Sequence, residues 1–174
     1  MLFRSATYTG TATTATQVGE YVITPNVAGL WAQNYTFSSA NGTLTIDPRP
    51  LSVSGATATG RAYNGGLTVA ITGATLVNRI VGDDVSLATL TGTVASADAG
   101  EGKPVATSLT LTGTKAGNYA LSQPTGVTVT IAKVALTVTA ANKSKVYDGS
   151  VYSPFTPIIA GFVNGETESA LRDA

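Results

Sequence analysis

Carboxylates are the side chains of this sequence best suited to hold a metal ion. Asp83 and Asp84 are adjacent, and Asp98 and Glu101 follow soon after. Calcium takes six to eight oxygen ligands from carboxylates and carbonyls, which makes Asp83 and Asp84 candidate calcium ligands. Two points favour a solvated turn instead. Neighbouring side chains point to opposite sides of an extended chain, and the sequence contains no twelve-residue calcium loop.

The sequence lacks both residue types on which most enzyme sites depend. It contains no Cys and no His, so thiol chemistry, disulfides, the commonest general base and the commonest metal ligand are excluded. A pair of acids could still hydrolyse glycosides, but the acids here lie in predicted turns with no cleft-forming insertion. We therefore predict no enzymatic activity and no cofactor, with calcium at Asp83 and Asp84 as the one alternative.

Two aromatic residues are candidates for carbohydrate binding. Trp31 is the only Trp and lies in a predicted loop, where it could contact a sugar or cover the end of a core. Tyr63 belongs to Tyr63-Asn64-Gly65, which resembles the later Tyr147-Asp148-Gly149. Each triplet could contact a sugar through its aromatic ring and polar group. Their recurrence favours a turn in which Gly takes a positive φ.

The elements that position these residues occur more than once. The order Asn34-Tyr35, Gly42 and Ile46 recurs as Asn118-Tyr119, Gly126 and Ile131, at a nearly constant offset. Leu-x-Val and Tyr-(Asn/Asp)-Gly follow each set at the same spacing. A regular period of about 85 residues is typical of an array of modules.

Composition and periodicity predict an all-β protein. Charged residues are 11% of the 174-residue chain, ten basic residues balance ten acidic ones, and Thr is abundant. This balance gives no electrostatic case for binding nucleic acid or an anionic membrane, and no run of 18 apolar residues predicts a membrane span. Runs such as Val127-Thr-Val129-Thr alternate apolar and polar residues, as strands with one wet face do. We predict immunoglobulin-like antiparallel sandwiches, with a β-grasp packing around one short helix as the alternative.

The local pattern predicts particular strands and turns. Asn41-Gly42 is typical of a type I′ hairpin, here joining strands at residues 34–37 and 43–46. A strand is also predicted at residues 19–23, and one helical turn near residues 166–171. Further strands are predicted at residues 51–54, 67–71, 84–90, 105–111, 119–122 and 127–131.

Two short linkers divide the chain into three parts. Asp47-Pro48-Arg49-Pro50 is stiffened by two prolines, and Ala132-Lys133-Val134-Ala135 is equally short. Residues 1–47 are predicted to be the C-terminal part of one module, residues 48–133 a complete module, and residues 134–174 the N-terminal part of a third. Because Met1-Leu-Phe-Arg-Ser lacks the apolar core of a signal peptide, we expect this chain to be an excerpt of a longer protein.

The motifs of the middle part resemble the YDG module. They are Val81-Gly82-Asp83-Asp84, Gly117-Asn118-Tyr119 and the closing Thr130-Ile131, with Tyr63-Asn64-Gly65 in place of Tyr-Asp-Gly. The flanking parts resemble the related MBG module, through Gly19-Glu20-Tyr21 on one side and Gly161-Phe162-Val163-Asn164-Gly165 on the other. Both modules recur in tandem in bacterial surface and secreted proteins, including filamentous-haemagglutinin-like adhesins.

The resemblance implies an extracellular spacer or stalk of a bacterial adhesin, secreted or anchored at the cell surface. Its expected partners are neighbouring modules of the same chain. The alternative is an adhesive module that binds host or matrix glycans through Trp31 and Tyr63. Because the two flanking parts are complementary halves of a module, we also expect the isolated chain to associate head to tail.

Overall fold

The computed structural model describes residues 6–171, and they form an all-β structure. This confirms the predicted fold class at that level. The strands are β1 (Thr7–Thr9), β2 (Gly19–Asn26), β3 (Gly42–Ile46), β4 (Arg49–Ser54), β5 (Thr57–Ala58), β6 (Arg61–Ala62), β7 (Thr68–Thr72), β8 (Thr75–Val77), β9 (Ser86–Leu87), β10 (Thr91–Val94), β11 (Gly100–Thr107), β12 (Leu111–Thr112), β13 (Tyr119–Leu121), β14 (Thr128–Ala132), β15 (Thr137–Ala140) and β16 (Pro157–Ala160).

The chain forms two compact units, and the segments of the two units alternate along the sequence. Unit 1 contains the residues up to Ser52 together with residues 76–86 and 111–122. Unit 2 contains residues 53–75 and 87–110 and the chain from Gln123 onward.

Unit 2 contains a six-stranded sheet with the order β5-β7-β10-β11-β14-β6. Its two outer strands, β5 and β6, are consecutive in the chain and separated only by Thr59 and Gly60. β5 pairs antiparallel with β7, whereas β6 pairs parallel with β14. One kinked segment therefore supplies both edges of the sheet. The buried side chains of this unit are Val69, Ile71, Val94, Val105, Leu109, Val127, Val129 and Ile131.

Unit 1 has its core at β4 and β13. Tyr119 to Leu121 pair in parallel with residues 49–51, and β8 follows β4 in the sheet order β13-β4-β8. Leu51, Val85 and Tyr119 form the buried cluster of this unit. A separate antiparallel sheet has the order β1-β2-β3.

The buried hydrophobic side chains of the described residues all lie between Leu51 and Ile131. Two further two-stranded pairs are β9 with β12 and β15 with β16. Within residues 6–171 there is no α-helix, and the predicted helical turn near residues 166–171 is a 3₁₀ turn at Glu168–Ala170. No helix of the described chain has the length and hydropathy needed to cross a membrane.

The predicted Asn-Gly hairpin is wrong. Residues 34–37 form no strand, and Gly42–Ile46 pairs antiparallel with residues 19–23 of β2. The positive φ values that a type I′ turn requires are absent at Asn41 and Gly42. The counterpart of residues 34–37 explains why no hairpin forms here. Tyr119–Leu121 pairs in parallel with β4, which comes earlier in the chain, and not with the strand that follows it.

Two predicted strands of the middle part are displaced. Strand structure covers only Ser86–Leu87 of the predicted strand at residues 84–90, and the next strand is Thr91–Val94. The strand predicted at residues 105–111 begins earlier, at Gly100, and includes Gly102 at φ +60 beside a register shift between Gly100 and Lys103. This β-bulge accommodates Gly102, a residue type that predicts a loop when the sequence is considered alone.

Candidate functional site

The two Tyr-x-Gly triplets form turns with the same hydrogen bonds. In the first, Arg61 donates to the Asn64 side chain and to the Gly66 carbonyl, and the Gly66 N–H donates to Asn64 Oδ1 at 3.0 Å. In the second, Lys145 Nζ donates at 2.6 Å to Asp148 Oδ1 and to the Ser150 carbonyl. The Ser150 N–H donates to Asp148 Oδ1 at 3.0 Å.

Both turns therefore consist of an Asx residue that accepts from the backbone two positions on, with a cation two residues before the Tyr. The glycines lie at φ +73 and +72, which confirms the predicted positive φ. Because the polar groups of each triplet serve its own turn, only the two tyrosines remain for other contacts. Tyr63 is half-buried, whereas Tyr147 is 92% exposed.

Hydrogen bonding lowers the pKa of Asp148 to about 2, with Lys145 as the main cause and the Ser150 N–H as the next. We expect an NMR titration of this carboxyl to show a midpoint near pH 2, because Lys145 and Ser150 favour the charged form. Since the folded pKa lies below the unfolded value, the contribution of the carboxylate to the turn is present above about pH 4. It is lost as the pH falls through about 2.

The substitution Lys145→Met should move this midpoint back toward the ordinary value of 3.8. Lys143→Met is the matched control, because Asp148 takes its lysine hydrogen bond from Lys145. A midpoint that is unchanged in Lys145→Met, or that moves equally in Lys143→Met, would contradict the assignment.

In unit 2, Tyr63 lies against the last part of the chain, beside the predicted linker at residues 132–135. Its hydroxyl donates to Glu166 Oε1, and this hydrogen bond to a carboxylate raises the pKa of Tyr63. The two groups line a cavity of about 290 Å³, named here the second linker cavity. Its walls also include Asp98, Ala99, Lys133, Val134, Leu136 and Phe162.

In unit 1, a comparable cavity of about 340 Å³ lies beside the predicted linker at residues 47–50, whose last two residues belong to β4. Here the side chain of Asn118 makes two hydrogen bonds to the segment before β2. Its Oδ1 accepts from the Val18 N–H at 2.9 Å, and its Nδ2 donates to Gln17 Oε1 at 2.7 Å. Tyr21 Oη supports this segment by donating to the Gln17 carbonyl at 2.8 Å. This is the first linker cavity.

The two cavities are lined by matching stretches of sequence. Gln17-Val18 precedes Gly19, and Asp98-Ala99 precedes Gly100. The strand that begins at each glycine pairs with a closing strand in the same register, Gly19 with Ile46 and Gly100 with Ile131. A predicted linker follows each closing strand. A Gly-acid turn completes the lining, through Asp83 in one cavity and Glu166 in the other. Both acidic residues accept a tyrosine hydroxyl.

The calcium candidates have separate partners within unit 1. Asp83 Oδ2 accepts from Tyr119 Oη at 2.5 Å. Asp84 Oδ2 accepts from the Thr114 N–H at 2.8 Å, and this bond lowers the pKa of Asp84. The hydroxyl of Tyr119 also accepts from the Ile80 N–H at 3.2 Å. Burial, followed by the hydrogen bond to Asp83, raises the pKa of Tyr119.

These carboxylates therefore fix the turn at residues 80–84 against β13 and the loop before it. Asp98 accepts from Ser96 and lies in unit 2, as does Glu101. Within residues 6–171, no three acidic side chains are close enough together to hold a metal ion.

The two glycan candidates differ in their surroundings. Trp31 is 82% exposed in the loop between β2 and β3. Tyr63 is half-buried and bonded to Glu166, so its hydroxyl is already in use. Trp31 therefore has an exposed indole that could stack on a sugar, while Tyr63 belongs to the second linker cavity.

Sequence reasoning did not find the residues that tie the chain together at the linkers. Gln17 belongs to no motif, and Asn118, although part of the Gly117-Asn118-Tyr119 motif, lies 101 residues from it in the sequence. Glu166 did have a usable signal, because it follows Gly165 as Asp83 follows Gly82.

Comparison with known protein families gives one match. Residues 47–126 match the model of the YDG domain, which confirms the resemblance of the middle part. No curated protein and no solved structure matches the chain.

Proposed function

We propose that this chain is a structural spacer of a secreted or surface-anchored bacterial adhesin, in which tandem immunoglobulin-like modules hold a distal binding domain away from the cell. The observation that carries the proposal is the equivalence of the two linker cavities. A cavity that recurs at each linker, lined by a matching strand start, linker and Gly-acid turn, is what an array of modules requires of its joints. On this proposal the chain performs no reaction.

The short linkers support this role. Only Asp47 and Pro48 separate β3 from β4, and the ring of Pro48 fixes its φ. The hydrogen bonds from Asn118 to Gln17 and Val18 lie beside this linker. A bend at the linker would have to break these bonds, each worth about 1 kcal/mol. The linker itself has too few residues to act as a flexible tether.

The topology of unit 2 supports the sandwich part of the proposal. The kinked segment from β5 to β6 pairs with β7 at one edge and β14 at the other. Strands that change pairing partners through a bend form the corners of packed sheets. In this segment, β5 is antiparallel to its neighbour and β6 is parallel to its own. Such a switch suits an immunoglobulin-like arrangement better than a β-grasp around a helix.

Surface chemistry and family point to the extracellular setting. Charged residues are scarce and Thr is abundant, so hydroxyls take the place of charges on the wet faces of strands. Residues 47–126 match the YDG domain, and the resemblance described in the sequence analysis implies that such modules recur in tandem in bacterial surface proteins.

A distance measurement across the second linker tests the spacer role. The chain has no Cys, so Thr93→Cys and Thr139→Cys, both at exposed strand positions, give two unique spin-label sites. We expect a narrow distribution of label distances in the otherwise native chain, because Tyr63 and Glu166 hold the linker region in one arrangement. Tyr63→Ala should broaden it.

Tyr147→Ala is the matched control, since it removes the repeat-equivalent tyrosine from an exposed position. The distribution should then stay as narrow as in the parent. A broad distribution in the parent would show a flexible linker and count against the spacer. A narrow distribution that is unchanged in Tyr63→Ala would show that the second linker cavity does not hold the linker, and it would remove the observation on which the proposal depends.

One observation favours a second function, that of an adhesive module that binds glycans. The indole of Trp31 is 82% exposed, and a planar aromatic surface of this kind is suited to stacking on a sugar ring. Saturable binding of the folded chain to a glycan or matrix array, abolished by Trp31→Ala, would favour this function over the spacer. Binding that survives Trp31→Ala would argue against a site at this residue.

A further inference from the structure

A short segment near the end of the first part of the chain has an unpaired backbone. Residues 34–40 lie outside every strand, and no hydrogen bond found within residues 6–171 involves them. Tyr35 is 78% exposed and Phe37 is 46% exposed. The segment thus presents two aromatic side chains and free N–H and C=O groups, which is the condition of a strand that lacks its partner.

The counterpart of this segment, one repeat later in the sequence, has a partner. Tyr119, Ala120 and Leu121 pair in parallel with Arg49, Pro50 and Leu51. The Ser122 N–H extends the pairing by donating to the Leu51 carbonyl at 2.8 Å. Tyr119 is only 7% exposed and packs in the buried cluster with Leu51 and Val85. The two segments match at Asn-Tyr and at the following Ser, so Ser38 corresponds to Ser122.

The last part of the chain presents the complementary edge. Leu136-Thr-Val138 corresponds to Leu51-Ser-Val53. β15 pairs with β16, just as β4 adjoins β8. In the sheet β13-β4-β8 the remaining edge of β4 is covered by β13, whereas the described residues supply no such strand for β15. Leu136 is accordingly 37% exposed, while Leu51 is 1% exposed.

We infer that residues 35–37 of one copy add to the edge at residues 134–136 of a second copy, as a parallel strand. The pairing in the middle part fixes the register: Tyr35 lies opposite Val134, Thr36 opposite Ala135, and Phe37 opposite Leu136. The Ser38 N–H then donates to the Leu136 carbonyl. The occupant of this edge is a second copy of the same chain.

Strand addition of this kind supplies main-chain hydrogen bonds for affinity and side-chain pockets for specificity. Tyr35, Phe37 and Leu136 leave water on contact, and their burial provides the hydrophobic contribution. Because the two surfaces are different, the contact is heterologous, and a dimer keeps one free edge of each kind, one on each copy. Association therefore continues beyond a dimer. This inference does not depend on the spacer function.

Sedimentation velocity over about 10 µM to about 1 mM of the full chain tests the association, a range suited to a small interface. We expect the mean mass to rise past that of a dimer. The variant Tyr35→Ser/Phe37→Asp loses one edge and Leu136→Asp loses the other, so each should be a monomer by itself. An equimolar mixture should form a 1:1 dimer and stop there, because only one productive pair of edges remains.

Val81→Asp is the control, as it changes a fully solvated valine outside both edges, and it should associate as the parent does. A monomeric parent at the highest concentration would overturn the inference. So would association that closes at a dimer, edge variants that still polymerise, or a mixture that remains monomeric.

If Leu136→Asp disturbs the fold, disulfide cross-linking still tests the proposed pairing of residues 35–37 with residues 134–136. Phe37→Cys in one chain and Leu136→Cys in another place the thiols opposite each other in adjacent strands, within reach of a disulfide. With a mild oxidant, this pair should cross-link at least about tenfold faster than Trp31→Cys with Leu136→Cys, a gain that proximity readily supplies. Equal rates would show that residues 35–37 do not meet this edge.

Discussion

Replacing Leu51 by alanine should lower the free energy of unfolding by about 2 to 5 kcal/mol, one of the largest effects available to a single substitution in this chain. Leu51 is 1% exposed and packs with Val85 and Tyr119. The substitution removes buried methyl groups and leaves a cavity in a cluster with few other buried members. Urea unfolding followed by far-ultraviolet circular dichroism measures the loss, because the exposed Trp31 would report poorly on this core.

Leu136→Ala is the matched control, since Leu136 occupies the equivalent position in the next Leu-x-Val motif. It is 37% exposed and lacks the strand that covers Leu51, so its replacement should cost less than about 1 kcal/mol. Measurements should be made well below the concentration at which the chain associates. Equal losses at the two positions would mean that the repeat, and not the presence of a partner strand, determines burial.

This pair of leucines shows what the sequence reveals about the fold and where it stops. Alternation in Val127-Thr-Val129-Thr predicts a half-buried strand, and Val127 and Val129 are buried. The same alternation in Leu136-Thr-Val138 predicts the strand β15, which does form, yet Val138 is 65% exposed. A periodic pattern specifies which face a side chain takes, but whether another element covers that face depends on distant residues.

The wrong hairpin at Asn41-Gly42 has a similar origin. Asn-Gly between short apolar runs is a strong local signal for a two-residue turn. The strand equivalent to residues 34–37 takes its partner from a distant part of the sequence, since Tyr119 pairs with Arg49. Nonlocal pairing of this kind leaves no trace in a local window, so the turn chemistry gave a wrong prediction.

The missed strand β10 has a different cause. Gly92 lies in a short run of residues, 91–94, that otherwise favours a strand, and a glycine in such a run predicts that the strand is interrupted. In the fold, Gly92 is buried, and a Cβ built there would lie 2.5 Å from Cγ1 of Val105 on the neighbouring strand. The absence of a side chain is what allows the two strands to pair. Composition alone cannot distinguish a glycine that ends a strand from one that a neighbour requires.

The candidate site was predictable in its turns but not in its partners. The Tyr-x-Gly triplets have local chemistry, and their positive-φ glycines and Asx bonds follow from three consecutive residues. Glu166 lies 103 residues from Tyr63, so no local rule connects them. The usable signal in the sequence was the repeat, because Asp83 and Glu166 follow equivalent glycines. In the structure each of these two acids accepts a hydrogen bond from a tyrosine.

Replacing Gly73 by alanine should cost about 3 kcal/mol or more, through two separate penalties. Gly73 lies at φ +68, in the region that side chains disfavour. A Cβ there would lie 2.6 Å from the Gly55 carbonyl oxygen, and a Cβ at Gly55 would lie 2.7 Å from the Gly73 oxygen. Because both neighbours are backbone atoms, the strain cannot be relieved by rotating a side chain, and the segments that end β4 and β7 must move apart.

Gly126→Ala separates the two penalties. Gly126 has nearly the same backbone conformation, φ +73, but a Cβ there meets nothing within 4 Å. Its replacement should therefore cost only the conformational term of about 1 kcal/mol. Urea unfolding of both variants gives the difference directly, and that difference measures the close approach of Gly55 and Gly73. If both substitutions cost about 1 kcal/mol, the conformational term alone, the two backbones are free to separate, and the crossing of these segments is not fixed by tight packing.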